Sequence, residues 1–242
     1  MTGVDLLGQM DRDGYAILRG TYPAPLIQRL HEAYLELEPT FLAGGVEVGD
    51  ARIMFPIVVQ PPFSDPALLA TNRILIFLRA LLGDELVILG YGGVVARPGA
   101  PAQHVHKDHP HLYPLPLGAE LPCHAVTLVV PLVDLDETTG STALYPGTHR
   151  TFDSNGVTPY VTSFRRGDCY FMDYRLTHSG TANPGKVPRP LLYIVYSRPW
   201  FVDIRNYKEM PPLELLPAEQ VQLPPAVRGL FRRAAIPLPG LR

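Results

Sequence analysis

The chemistry of this chain is concentrated in one nine-residue stretch: Gln103, His104, Val105, His106, Lys107, Asp108, His109, Pro110 and His111. Four of the chain's eight histidines fall within it. In an extended segment alternate side chains share a face, so His104, His106 and Asp108 would stand in one row with neighbours roughly 7 Å apart. Two adjacent members of such a row can reach one metal ion. His106 and Asp108 supply a neutral imidazole and a carboxylate. A further histidine would complete the two-histidine, one-carboxylate set that suits oxygen-activating iron(II). His178 fits that place, because it follows the strand-like run Cys169–Asp173 and can sit on a neighbouring strand. Three protein ligands on one face of an octahedral ion leave two positions for a chelating 2-oxo acid and one for dioxygen. His104 reads as a packing or supporting residue, and His109 and His111 read as structural or pocket-lining. A cupin-type His-x-His pair at His104 and His106 would want a glutamate shortly afterwards, but the following positions are Pro110, His111 and Leu112.

A second candidate is Arg189, at the mouth of the apolar run Leu191–Arg198. A buried guanidinium needs an anionic partner, because an unpaired buried charge is costly. The distal carboxylate of a 2-oxo diacid could fill that role bidentately. An internal salt bridge would serve as well.

The elements that must position these residues show in the periodicity. Leu26, Ile27, Leu30, Tyr34 and Leu37 repeat at helical spacing and predict a helix over residues 24–38, with Pro25 in its first turn and Pro39 as its end. A second helix is predicted over 72–82, stopped by Gly83. Tyr15–Leu18 reads as a short strand. After Gly83 the pattern changes to short runs rich in Val, Ile, Leu and Tyr: Leu86–Arg97, Ala125–Asp134, Ser141–Tyr145, Cys169–Asp173 and Leu191–Arg198. Helices first and many short strands afterwards predict a mainly β fold, a sandwich or jelly roll with the helices packed on one outer face. The proline- and leucine-rich stretch from Met210 to Arg242 reads as a wrapping segment with one short helix at Ala226–Ala234.

Composition narrows the function classes. A length of 242 residues suits a single globular domain spanning residues 1–242. The formal net charge of −2 gives no electrostatic case for nucleic acid or an anionic membrane. Two cysteines, Cys123 and Cys169, cannot build a disulfide framework or a zinc ribbon. They read as free thiols in a reducing compartment, and a cytoplasmic location is expected. The first residues lack the basic start and apolar run of a signal peptide. No stretch approaches the roughly 20 apolar residues that cross a bilayer. The expected partner is a small-molecule substrate, and the oligomeric state is open.

Taken in order, several motifs give the chain a resemblance to the phytanoyl-CoA dioxygenase family of Fe(II)/2-oxoglutarate-dependent oxygenases. Asp11–Arg19 resembles the family's N-terminal strand. Val130–Asp136, followed by Gly140–His149 with its Pro146, Gly147, Thr148, His149 turn, is similar to its strand and Pro-Gly-Ser-His turn. Gly167 and Asp168 precede the strand leading to the last histidine, and His178–Asn183 followed by Arg189 resembles the closing motif. The resemblance implies a double-stranded β-helix (a jelly roll, cupin-like) with Fe(II), 2-oxoglutarate and dioxygen. By motif position it implies His106, Asp108 and His178 as iron ligands and catalytic residues. It implies Arg189 as the clamp on the far carboxylate of 2-oxoglutarate, with Gln103 and Thr142 as further co-substrate contacts. The sequence departs mildly from the pattern, with threonine in the Pro-Gly-Ser-His turn and Val105 before the first ligand. Related halogenases lack the carboxylate ligand. Asp108 is present, so halogenation is not expected.

The substrate is read from the flanking segments. Residues 50–63, the loop after Asp108 including His111–Leu117, and Trp200 with Phe201 are apolar and aromatic and are expected to wall the pocket. They favour a small, largely apolar metabolite of specialised (natural-product) metabolism that is hydroxylated, desaturated or cyclised at an unactivated carbon. An acyl-CoA substrate would call for a cationic landing patch. The adjacent arginine pairs Arg165–Arg166 and Arg232–Arg233 are more simply solvated surface. A non-catalytic jelly-roll binding protein is the remaining alternative, and the complete ligand set argues against it.

Overall fold

The computed structural model describes residues 5–206, 213, 215 and 222–234. In chain order its elements are α1 (Leu6–Asp13), β1 (Tyr15–Leu18), α2 (Ala24–Ala43), β2 (Val46–Glu47), β3 (Arg52–Pro56), α3 (Pro66–Leu69), α4 (Asn72–Leu82), β4 (Val87–Ala96) and α5 (Leu117–Glu120). There follow β5 (Ala125–Pro131), β6 (Thr142–Leu144), a 3-10 turn (Thr148–Arg150), β7 (Tyr160–Val161), β8 (Cys169–Asp173), β9 (His178–Gly180), β10 (Arg189–Ser197) and α6 (Pro225–Arg228), which runs into a second 3-10 turn (Gly229–Phe231).

Seven strands form one sheet in the order β1-β8-β5-β10-β4-β3-β2, and three form another in the order β7-β6-β9. All paired strands in both are antiparallel. The strands around the cavity alternate as the two-residue period of a pleated strand requires, apart from a bulge where β10 pairs with β4 at Val195 and Tyr196. Along β10, Leu192, Ile194 and Tyr196 enter the large hydrophobic core, whereas Arg189, Leu191, Tyr193 and Val195 line a cavity on the opposite face. β5 and β8 divide in the same way: Val126, Leu128 and Phe171 face the core, and Thr127, Val129, Tyr170 and Met172 face the cavity. The core face is closed by helices. Leu26, Ile27, Leu30 and Tyr34 of α2 and Ile74, Phe77, Leu78 and Leu82 of α4 are buried in that core. Phe77 packs on Phe171 with ring centroids 4.7 Å apart. The mainly β jelly roll with helices on one face is as expected from the sequence.

Three local readings need correction. Pro39 does not end α2, which continues to Ala43. A proline inside a helix costs about 3 kcal/mol, but continuing brings Phe41 against Phe55 and Phe63, with ring centroids 5.0 and 6.0 Å away. That aromatic burial offsets the lost hydrogen bond. The residues before Tyr15 are helical: the Asp5 side chain caps α1 by accepting the Gly8 N–H at 2.8 Å, and Gly14 ends it in the left-handed region at φ 80°. The C-terminal helix is shorter than Ala226–Ala234, because Gly229 gives way to a 3-10 turn. The wrapping segment expected from Met210 onward lies largely outside the described residues. Cys123 and Cys169 are buried free thiols. Among the described residues no helix is long and apolar enough to cross a membrane.

Candidate metal and anion site

His106, Asp108 and His178 converge at the edge of the small sheet, and their donor atoms all lie within 4.8 Å of one another. His178 opens β9. His106 is held beside it by a reciprocal backbone pair, His106 N–H to His178 O at 3.0 Å and His178 N–H to His106 O at 2.8 Å. The segment around His106 is not the strand the alternation predicts. It makes a single bridge at His106, and Asp108 sits in a bend. That bend aims the carboxylate back at the two rings, with Asp108 Oδ1 lying 4.0 Å from His106 Nε2 and 3.6 Å from His178 Nε2.

The ring orientations fit a metal. His106 Nδ1 lies 2.9 Å from the His104 carbonyl, and His178 Nδ1 lies 3.0 Å from the Leu176 carbonyl. A carbonyl can only accept, so each Nδ1 carries the proton and each Nε2 presents a lone pair to the shared space. Burial, followed by the neighbouring His178, holds His106 below the usual imidazole value and so in its neutral, ligating form. Asp108 Oδ2 accepts from the Thr127 hydroxyl at 3.1 Å, which fixes the carboxylate from behind. These donor-set features fit a divalent ion with half of its coordination sphere open.

Deeper in the same cavity lies a cationic end. Arg189 is 2% exposed and sends Nη1 to three backbone carbonyls, Thr139 O, Ser141 O and Thr181 O, each at 3.2 Å. Its Nε is buried without a partner. Among the described residues no carboxylate pairs with it. The internal salt bridge that the sequence left open is therefore not found among the described residues. Burial, and then the charge of Arg52, pulls Arg189 down to about 10. Two glycines make room for this group. A Cβ on Gly140, already at φ 76°, would fall 2.4 Å from Arg189 Nη1, and one on Gly180 would fall 2.8 Å from Gln103 Oε1 and 3.2 Å from Arg189 Nη2. Gln103 Oε1 accepts the Gly180 N–H at 3.0 Å, and Gln103 lines the cavity. Thr142 also lines the cavity, and its hydroxyl is 2.7 Å from the Tyr170 hydroxyl. A buried guanidinium that pairs with no carboxylate among the described residues, beside an empty glycine position, suits an anion.

The cavity measures about 390 Å³ and gathers His106, Asp108, His178, Gln103, Thr142 and Arg189 on its walls. Its apolar walls come from the sheet, including Met54, Val94, Val129, Met172, Leu191 and Val195. Of the walls expected from the sequence, residues 50–63 contribute Arg52 and Met54, while His111–Leu117 and Trp200–Phe201 contribute nothing. Trp200 is 61% exposed, and Phe201 is buried against His109, His124 and Tyr174 instead. His109 and His111 are structural, with ring nitrogens on the carbonyls of Pro110, Gly118 and Thr151. His104 lines the cavity but falls outside the donor cluster. Sequence reading missed Arg52, Thr127 and Tyr170. The alternation of β3, β5 and β8 marks a shared face for them, but not which face meets the cavity.

Fold and site thus define a jelly-roll protein with a two-histidine, one-carboxylate cluster and an adjoining cationic pocket. The phytanoyl-CoA dioxygenase (PhyH) description matches residues 10–191, and the chain belongs to that family. It is 28% identical over 160 residues to Dioxygenase af480 of Aspergillus fumigatus, covering 63% of this chain and 50% of that protein. The chain spans half or less of the length of the curated relatives it matches. Among solved structures it resembles HygX from Streptomyces hygroscopicus, determined with nickel, 2-oxoglutarate and hygromycin B bound. That match has TM-score 0.66 and 18% identity, covering 84% of this chain and 90% of that one. It also resembles SnoN, a non-heme alpha ketoglutarate dependent epimerase from nogalamycin biosynthesis, with TM-score 0.63 and 22% identity over 80% of this chain and 81% of that one. At these identities the likeness speaks for the fold.

Proposed function

We propose that this chain is a non-haem Fe(II)/2-oxoglutarate-dependent dioxygenase that oxidises an unactivated carbon of a small, largely apolar metabolite in natural-product metabolism. The observation that carries the reading is that His106, Asp108 and His178 share one cavity with Arg189, whose buried Nε has no partner. Family membership and the ligands named for HygX point the same way. The reading takes residues 1–242 as one catalytic domain.

In this reading His106 and His178 hold Fe(II) through Nε2 and Asp108 holds it through its carboxylate, while Thr127 keeps that carboxylate oriented. Arg189 grips the far carboxylate of 2-oxoglutarate, with Gln103 and Thr142 as hydrogen-bonding neighbours. Iron with 2-oxoglutarate and dioxygen supplies an oxidant able to take hydrogen from an unactivated carbon. The protein's part is to orient the substrate and exclude water, and the apolar sheet face of Met54, Val94, Val129, Met172, Leu191 and Val195 suits both tasks. The products that fit are an alcohol, an alkene or a new ring. Neither Arg165–Arg166 nor Arg232–Arg233 lines the cavity, which disfavours an acyl-CoA thioester as substrate.

Adding Fe(II) and 2-oxoglutarate anaerobically should produce a weak visible charge-transfer band, and its absence would sink the oxygenase reading. Succinate formed per product should then be measured on two panels, one of acyl-CoA thioesters and peptides, the other of terpenoid, polyketide and alkaloid scaffolds. Coupled turnover confined to the first panel would overturn the substrate class and leave the oxygenase reading standing.

A further inference from the structure

Asp108 has little regular structure to hold it. It sits in a bend, and the segment's single bridge to a neighbouring strand is at His106. Thr127 braces one carboxylate oxygen from behind. The peptide that carries the side chain needs its own anchor, because a metal ligand displaced by a fraction of an ångström no longer meets its partners. Two contacts supply one. The N–H of the next residue, His109, donates to Tyr174 O at 2.8 Å. The carbonyl of Asp108 itself accepts from Asn206 Nδ2 at 2.9 Å, reaching in from 98 positions further along the chain. Among the described residues no other hydrogen bond reaches that oxygen.

Asn206 is delivered by the segment after β10, residues 199–206. Phe201 is 3% exposed and packs on His124 and His109, with ring centroids 4.5 and 5.2 Å away. Asp203 is also buried, and its Oδ1 accepts the backbone N–H groups of Arg205 and Asn206 at 2.9 and 3.0 Å. That turn brings Asn206 back to the cavity, whose wall it joins. Asp203 Oδ2 accepts the Tyr174 hydroxyl and Asn206 Nδ2, both at 2.7 Å. Burial pushes the Asp203 carboxyl up, but these hydrogen bonds outweigh it and hold the group below its ordinary value, so it is ionised and can only accept. The Asp108 carbonyl can only accept as well. The nitrogen of the Asn206 amide is therefore the atom that lies between them, and its two hydrogens serve these two oxygens. Asn206 is exposed, and tying down its own segment would need only the contacts to Asp203 and Tyr174. The bond to Asp108 O goes beyond that role, because it crosses from the segment to the ligand.

We propose that Asn206 is a positioning residue for Asp108: it fixes the backbone of the ligand while Thr127 fixes its carboxylate, and so makes the metal geometry depend on the segment after β10. The proposal rests on the reading above that His106, Asp108 and His178 hold a divalent ion.

The test is competition between the cobalt(II)-loaded chain and a chelator, with the visible absorption of the bound cobalt(II) recorded at saturation. Asn206→Leu keeps the size of the side chain and removes both donors. It should weaken cobalt(II) binding by about tenfold, the scale of a group that supports a ligand, and shift the absorption bands, with the melting temperature near that of the parent. Asn206→Gln, which keeps amide donors, should recover part of the affinity. Tyr174→Phe loosens the Asp203 carboxylate that holds Asn206, so it should act in the same direction and by less. Added to Asn206→Leu it should cost little more, because both act through one network. Ile204→Ala is the control on the same segment: its side chain is 69% exposed, and the variant should keep parental affinity and bands. A merely structural Asn206 would leave affinity and bands at parental values in Asn206→Leu, whatever happens to the melting temperature, and that result overturns the proposal. Equal losses in Asn206→Leu and Ile204→Ala would trace the effect to the segment at large and overturn it too. If Asn206→Leu does not fold, Tyr174→Phe is read against the same two measurements. A parent chain that takes up no cobalt(II) overturns the metal reading together with this proposal.

Discussion

Arg175 and Arg189 are almost equally hidden from solvent, at 3% and 2% exposed, yet their surroundings are opposite. Arg175 clasps Asp173 with two nitrogens at 2.9 and 2.8 Å, and its third nitrogen reaches the carbonyls of Gly118 and Leu121 at 3.2 and 2.9 Å. Every donor group is used. Burial works against both charges, but the mutual hydrogen bond and attraction win, so Asp173 is held below its ordinary value and Arg175 above its own. Arg189 has three long bonds from one nitrogen, a partnerless Nε, and another guanidinium where an acid would be. Native interiors satisfy their polar groups. A buried charge completed from within the chain is part of the scaffold, whereas one left incomplete beside a cavity is a place for a ligand. Sequence distance separates the two cases. Asp173 and Arg175 are two residues apart and close their pair locally, while Arg189 pairs with no acid among the described residues.

Four experiments press on this contrast. The largest effect is expected from His178→Ala, which removes one of three donors from the open site. Metal binding and turnover should be lost while the melting temperature stays near that of the parent. A variant that still takes up iron(II) and turns over normally would dissolve the metal assignment.

Next comes damage to the closed site. Asp173→Ala strands a buried guanidinium and should destabilise the fold by about 3–5 kcal/mol, read from urea unfolding. The pair also sets a pH dependence. Because the folded-state pKa of Asp173 is depressed, its contribution is fully present above the ordinary carboxylate value of 3.8 and is lost as pH falls through the lower folded value. Stability of the parent should therefore drop on acidification below that value, and the drop should be smaller in Asp173→Ala.

Arg189→Leu should do the reverse of Asp173→Ala. It removes an unpaired buried charge, so the ligand-free protein should be as stable as the parent or more so. Affinity of the metal-loaded protein for 2-oxoglutarate should fall by about 2–5 kcal/mol, or roughly 30-fold to several thousandfold. An unchanged dissociation constant in a calorimetric titration would erase the distinction between the two arginines.

The smallest effect is expected from Thr127→Val, which removes only the hydroxyl that orients Asp108. Metal affinity should weaken by about tenfold, the lower end for a group that supports a ligand. Competition with a chelator would measure it, and parental affinity would place Thr127 in packing alone.

Much of the site was legible because its signals are local. His106 and Asp108 announce themselves by residue type and two-residue spacing, and Arg189 by standing before an apolar run. The expected strands from Leu86 to Arg198 match β4, β5, β6, β8 and β10 to within a few residues, because alternation and β-branched content act over one strand. The helix over Asn72–Leu82 was legible from its apolar stripe and Gly83. Pro39 misled because its local cost is outweighed by a distant aromatic contact. The apolar segments His111–Leu117 and Trp200–Phe201 misled because hydrophobicity does not say which surface a segment will cover.

The sequence by itself singled out the side chains whose types could carry chemistry, and it determined the mainly β class and the helix-first order of elements, since composition, spacing and periodicity are properties of neighbours along the chain. Only the tertiary structure decided that Arg52 meets Arg189, that Thr127 braces Asp108, and that the strand faces, not the flanking loops, wall the cavity. The strand order β10-β4-β3 sets two arginines 137 positions apart on either side of Ala96 (189 − 52). That adjacency comes from non-local backbone pairing, and a two-residue period is the same whichever strand lies alongside and whichever face turns inward.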